Sequence, residues 1–129
     1  MAHPNEAVMR SGYEAFQRGD LDALRAIFDE DIAWHIGGRS QISGDYRGID
    51  DVFGFFGRIF ELSGGTFAVD VLDIVANDDH AFVLVKLRAQ RTSRTLDSTE
   101  AHVWNMAGGK ATGFWGLPKD FYSSEDFWS

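Results

Sequence analysis

The sequence predicts an α+β fold, a cone whose N-terminal helices pack on the concave face of a strongly curved, mostly antiparallel sheet. Three observations predict it. Apolar residues recur at helical spacing in the first half of the chain, they alternate at strand spacing through most of the second half, and short Gly/Asn/Asp turns join the alternating segments. The 129 residues make a single domain, 1–129. A chain of this size buries about two-thirds of its unfolded surface.

From Glu6 to Arg18, Val8, Met9, Tyr13 and Phe16 share one helical face, and Gly19 ends the pattern. Gly12 lies within that face. A helix-interior glycine costs about 1 kcal/mol relative to alanine, so its presence suggests room left for something else. Asp20 is placed to cap a second short helix, with Leu21, Leu24, Ile27 and Phe28 directed inward. Asp31 to Ile36 alternates as a strand, with Ile32, Trp34 and Ile36 on one side. Turn formers run from Gly37 to Gly48; Ile49, Val52, Phe53, Phe56, Ile59 and Phe60 then make the apolar ridge of a long helix that Gly64-Gly65 closes.

Thr66 to Ala76 reads as a strand whose parity shifts near Val71-Leu72, the mark of a bulge that bends the sheet. After the turn Asn77-Asp78-Asp79, strands from His80 to Arg91, Leu96 to Met106 and Lys110 to Pro118 complete it. The tail Lys119 to Ser129, carrying Phe121, Tyr122, Phe127 and Trp128, is too short to fold alone and is expected to cover an opening or dock on a partner.

Strand register decides which side chains face the interior. A three-residue loop at Thr92-Ser93-Arg94 sets Lys86 opposite Glu100, an opposite-charge pair on the wet face, and Leu87 opposite Thr99. A two-residue Gly108-Gly109 turn pairs Val103 with Phe114 and His102 with Trp115. On this register Val85, Leu87, Asp97, Thr99, Val103, Asn105 and Phe114 face the interior. His102, Trp104 and Trp115 fall on the back of the sheet, a group too apolar for water that is expected to form a homodimer interface.

A net charge of -8 without a Lys/Arg cluster argues against nucleic acid or an anionic membrane as partner. The absence of cysteine rules out disulfide and thiol chemistry and fits a cytoplasmic location. The N-terminus Met1 to Ala7 lacks a charged-then-apolar leader pattern, and no apolar run reaches membrane-spanning length. Eleven Phe and four Trp are many for this length and call for a large core or an apolar cavity.

Four stretches, Gly19-Asp20-Leu21-Asp22-Ala23-Leu24, Trp34-His35-Ile36-Gly37-Gly38-Arg39-Ser40, Ser43-Gly44-Asp45-Tyr46-Arg47-Gly48 and Gly109-Lys110-Ala111-Thr112-Gly113-Phe114-Trp115, resemble the SnoaL-like, ketosteroid isomerase-related branch of the nuclear transport factor 2-like (NTF2-like) superfamily. The resemblance covers nearly the whole chain and implies the cone-shaped fold. The superfamily includes ketosteroid isomerase, polyketide cyclases, limonene epoxide hydrolase, scytalone dehydratase and non-catalytic binding domains, so fold leaves function open. Carried over by these motifs, the isomerase's phenol falls at Gly12, its proton-moving aspartate at Ile36 and its oxyanion-hole acid at Ala101. All three groups are missing, which argues against that mechanism. The epoxide hydrolase's Asp-Arg-Asp set is disfavoured too, since Arg88 faces outward and leaves Asp97 without its partner.

Asp97 is the carboxylate expected to face the pocket, where apolar neighbours would fit it for acid or base work; alternatively it ends its strand in solvent. Tyr13 is the second candidate catalytic group, its hydroxyl binding a ligand oxygen or merely satisfied within the core. Trp34, Ile36, Phe53, Phe56, Val85, Leu87, Val103 and Phe114 are expected to form a ligand-binding wall, with Thr99 and Asn105 as polar contacts. Arg39, Asp45, Tyr46 and Arg47 either rim the entrance or bond their own loop. His35, His80 and His102 come from separate strands without metal-ligand spacing, and neither a metal nor a cofactor is called for. The expected function is to hold a small, largely apolar ligand in a conical pocket; the sequence leaves open whether the protein is an enzyme, and if it is, the reaction expected is isomerase-, cyclase- or hydrolase-type proton transfer. The alternative is a non-catalytic binding or dimerisation module with a filled pocket.

Overall fold

The computed structural model describes residues 3–129, so Met1 and Ala2 of the N-terminus expected to lack a leader lie outside the described residues. The elements are α1 (Pro4–Arg18), α2 (Leu21–Ile27), β1 (Phe28–Ile36), β2 (Gly44–Arg47), α3 (Ile49–Leu62), β3 (Ala68–Ala76), β4 (His80–Arg91), β5 (Arg94–Ala107), β6 (Lys110–Pro118) and α4 (Phe121–Trp128). The strands form one sheet in the order β2-β1-β6-β5-β4-β3, antiparallel except where β1 runs parallel to β6. The fold is α+β, as expected. Among the described residues no helix is long and apolar enough to cross a membrane.

Local chemistry explains the helix ends. His3 caps α1 reciprocally: its Nδ1 accepts from Asn5 N at 3.0 Å and its backbone N donates to Glu6 Oε2 at 3.1 Å. Asp20 Oδ1 accepts from Ala23 N at 3.1 Å and starts α2. Leu21, expected inward, is exposed, and Phe28 opens β1 rather than closing the helix. The helix α3 buries Ile49, Val52, Phe55, Phe56 and Ile59. Its ridge is rotated toward Phe55 because β2, which the sequence presents only as turn formers, adds an edge strand beside β1; Phe55 packs on Tyr46 there, ring centroids 4.9 Å apart. Phe53 and Phe60 are consequently only half-buried.

The bulge in β3 is present, with the register shifting between Val71 and Asp73. The β4–β5 hairpin differs from expectation. Its loop has two residues, Thr92 and Ser93, so Arg91 pairs with Arg94, Arg88 with Asp97, Leu87 with Ser98 and Lys86 with Thr99. Cross-strand charge still decides the wet face, but by other partners: Lys86 Nζ stands 3.0 Å from Asp97 Oδ1, and Arg88 bonds Asp70 on β3. Because side chains alternate, this one-residue change turns β5 over.

Asp97, Thr99, Val103 and Asn105, all expected inside, therefore lie on the outer face; His102 and Trp104, expected on the back, are buried within. Trp115 is on the outer face, paired with Val103. The Gly108-Gly109 turn joins β5 to β6 as expected, both glycines having positive φ (57° and 79°). A bulge beyond it, between Asn105 and Met106, then sets Phe114 against Trp104 instead of Val103 and keeps Phe114 inside.

The tail forms a helix. Asp120 caps α4 through bonds from Tyr122 N and Ser123 N. Phe127 and Trp128 are buried, Arg91 Nη1 holds the Phe127 carbonyl at 2.6 Å, and Glu125 Oε2 accepts from Arg39 N at 2.8 Å. The Glu125 carboxylate fills the space a Cβ on Gly38 would need, so that glycine lets α4 close on the loop after β1.

Candidate functional site

The sheet's inner face, α1, α3 and α4 enclose a cavity of about 140 Å³. Of the residues expected there, Tyr13, Trp34, Ile36, Phe56, Leu87 and Phe114 line it. Val85 faces inward but is sealed in the core, and Phe53 stands aside, against Phe28 and Phe56 and under the Arg25 guanidinium at 5.1 Å. The outward turn of β5 removes Asp97, Thr99, Val103 and Asn105 from the cavity. Asp97 is exposed and paired with Lys86, which deprives it of the apolar surroundings its acid-base role required.

The wall is largely apolar and rich in aromatic rings. Trp34 stacks on Phe114 across the parallel β1–β6 pair, centroids 4.0 Å apart and planes 23° from parallel, and meets Phe56 and Trp104 edge-on at 5.3 Å each. Its indole nitrogen is buried and has no hydrogen-bond partner among the described residues. Of the loop residues expected to rim the entrance, Asp45 binds His35 Nδ1 at 2.6 Å and Tyr46 donates to the Ile42 carbonyl at 2.7 Å, so both serve the loop and its strand. Arg47 is exposed, and Arg39 contributes its backbone N to α4.

One polar chain crosses this interior. Trp104 Nε1 donates to Tyr13 Oη at 3.1 Å, Tyr13 Oη lies 2.6 Å from His102 Nδ1, and His102 Nε2 lies 3.5 Å from Glu100 Oε1. Glu100, His102 and Trp104 occupy alternate positions of β5 and point the same way, while Tyr13 descends from α1 to meet them. All four are buried and line the cavity. Opposite His102 on β6 is Gly116, where a Cβ would stand 3.3 Å from His102 Cδ2 and 3.5 Å from Glu100 Oε1. The missing side chain makes room for the His102–Glu100 pair. Burial pushes the Tyr13 phenol well above its ordinary pKa, with the Glu100 charge acting in the same sense and the Trp104 bond opposing both.

A carboxylate, an imidazole and a phenol in series can pass a proton along and stabilise the imidazolium that results. Register hid this set from sequence reasoning. One signal could have found it: the even-numbered positions of β5 hold Leu96, Trp104 and Met106, a heavier apolar load than Ala101, Val103 and Asn105. Among the described residues, no group of three or more His, Asp or Glu is arranged to hold a metal ion.

Relatives share this architecture. An uncharacterized protein of Mycobacterium tuberculosis is 32% identical over 123 residues, which cover 95% of this chain and 94% of that protein. The structure of Bal32a, from a soil-derived mobile gene cassette, superposes with a TM-score of 0.94 at 33% identity, over 99% of this chain and 98% of the other. A protein of unknown function with a cystatin-like fold from Xanthomonas campestris gives a TM-score of 0.90 at 28% identity, over 100% and 99% of the two chains. The family described as SnoaL-like domain matches residues 9–114. With that match over most of its length, a six-stranded sheet and the cavity beneath its helices, the chain belongs to the SnoaL-like domain family.

Proposed function

We propose that this protein binds a small, largely apolar molecule in its cavity and moves a proton on it, with His102 as the acid-base group, Tyr13 as its relay and Glu100 as the counter-charge. The observation that carries the reading is the buried series Glu100–His102–Tyr13 in a largely apolar wall. Buried polar groups in a core are costly unless used or satisfied, and simple packing would favour apolar residues at these positions.

The volume supports a ligand of limited size. A drug-sized ligand needs about 300 Å³ or more, whereas an apolar hole of about 150 Å³ accepts benzene. At about 140 Å³ the cavity suits a single-ring compound.

The test uses 4-nitrophenol, whose phenolate absorbs visible light, in buffer just below its ordinary pKa. Binding to the wild type should raise the phenolate band as His102 takes up the proton. His102→Gln should bind the probe in its neutral form, without that rise. If the wild type binds it only as neutral phenol, the proton-transfer reading falls; no binding removes the ligand reading as well.

We further propose a homodimer surface on the outer face of the sheet. Val75, Phe82, Leu84 and Leu117 are exposed on the outer sheet face, in rows that also include Val103 and Trp115 and are flanked by Lys86, Arg88, Asp70 and Asp97. An apolar patch edged by both signs of charge suits a second copy related by a two-fold axis. Sedimentation should find a dimer for the wild type and a monomer for Phe82→Lys. A monomeric wild type at micromolar concentration would dismiss the surface.

A further inference from the structure

The hydrogen-bond chain has a direction, and that direction selects the ligand. An indole N–H can only donate, so the Trp104 to Tyr13 bond uses one acceptor lone pair of the phenol. With the imidazole neutral, as it must be to accept a ligand's proton, two arrangements remain for the 2.6 Å contact between Tyr13 Oη and His102 Nδ1. If Nδ1 carried the proton, the bare Nε2 lone pair would face the Glu100 carboxylate oxygen at 3.5 Å, a repulsive contact inside a low-dielectric core. With the proton on Nε2 that contact is attractive, and Nδ1 accepts from Tyr13. With the ring neutral the protons therefore run one way, from Trp104 to Tyr13 to His102, with the Nε2 proton facing Glu100.

In that arrangement the Tyr13 hydroxyl has spent its only proton and keeps one acceptor lone pair. Resting on the proposed ligand reading, we infer that the cavity selects hydrogen-bond donors: its ligand is a single-ring phenol or enol whose O–H points at Tyr13 Oη, and carbonyl compounds without a donor are excluded. The proton step follows the same line. The ligand O–H bond breaks as its proton passes to Tyr13 Oη, the Tyr13 proton passes to His102 Nδ1, and the products are a ligand oxyanion, a neutral Tyr13 and an imidazolium facing Glu100. The 3.5 Å His102–Glu100 separation is long for a hydrogen bond and would shorten once the ring is charged.

The experiment compares toluene, phenol and benzaldehyde, three rings of similar size, by calorimetric titration of the full chain. The wild type should bind phenol at least as tightly as toluene. Benzaldehyde should bind at least about tenfold more weakly than toluene, because its carbonyl loses water and gains no donor. Tyr13→Phe should weaken phenol by about tenfold or more and leave toluene within about twofold. Benzaldehyde as the tightest ligand, or phenol affinity untouched in Tyr13→Phe, overturns the inference while toluene binding leaves the cavity reading standing. No binding by any of the three removes both. Should Tyr13→Phe fail to fold, the wild-type His102 ring decides: long-range proton–nitrogen correlation should show the Nε2-protonated tautomer, and the Nδ1-protonated form would overturn the direction of the chain.

Discussion

Replacing Trp34 by alanine is expected to destabilise the protein by about 3–5 kcal/mol, the range for a large aromatic removed from a packed core. Trp34 is 5% exposed and contacts rings from four elements: Phe28 and Phe114 on strands, Phe55 and Phe56 on α3, and Trp104 on β5. The loss is cavity as well as burial, because the hole left would merge with the one already present and the surrounding rings are held by one another. Domains of this kind are stable by about 5–15 kcal/mol, so such a change brings a large fraction of molecules to the edge of unfolding. Trp34→Phe should restore most of the stability. Urea unfolding of the three proteins measures this; a Trp34→Ala loss under about 1 kcal/mol would mean that the indole sits outside the packed core.

Tyr13→Phe has the second large effect, and it depends on pH. At neutral pH the variant orphans Trp104 Nε1 and His102 Nδ1 in a buried place, and stability should fall by about 1–3 kcal/mol. Above pH 10 the difference between the two proteins becomes pH-dependent. The phenol of the unfolded chain ionises near its ordinary value of 10.0, while burial holds the folded phenol protonated well past it. The unfolded state then binds fewer protons, so wild-type stability declines by about 1.4 kcal/mol per pH unit above that point. Phenylalanine does not ionise, and the gap between the two proteins should narrow as pH rises. Tyr46, whose pKa burial also raises, is present in both and cancels. Urea unfolding near neutrality and again at about pH 11 makes the comparison. A gap that stays constant would show Tyr13 exposed to water.

The element order was legible in the sequence because periodicity is a local property. The apolar ridge from Ile49 to Ile59, the caps at Gly19 and Asp20, the bulge by Leu72 and the Gly108-Gly109 turn each follow from residues within a few positions of one another. Trp34 was placed inside by alternation; Phe114 was placed there on a pairing with Val103 that the structure replaces, and it stays inside because the bulge between Asn105 and Met106 offsets the turning over of β5. The edge strand β2 was missed because Gly44 to Arg47 has no apolar alternation of its own; it is held by pairing to β1, with Tyr46 against Trp34 and Asp45 against His35. The helical tail was likewise unreadable, since α4 depends on Arg91, Arg94 and the Gly38 hollow, all far away in sequence.

What the sequence determined by itself was the class of fold, the aromatic character of its interior and the exclusion of thiol chemistry. What tertiary structure alone decided was the polar set within it. Two loop lengths were compatible with the charges of β4 and β5, and they differ by one residue. That residue exchanges Asp97, Thr99, Val103 and Asn105 for Glu100, His102 and Trp104 inside the cavity. Alternation tells which residues share a face, but the choice of face is settled by packing against α1 and α4, where Tyr13 completes the chain of hydrogen bonds.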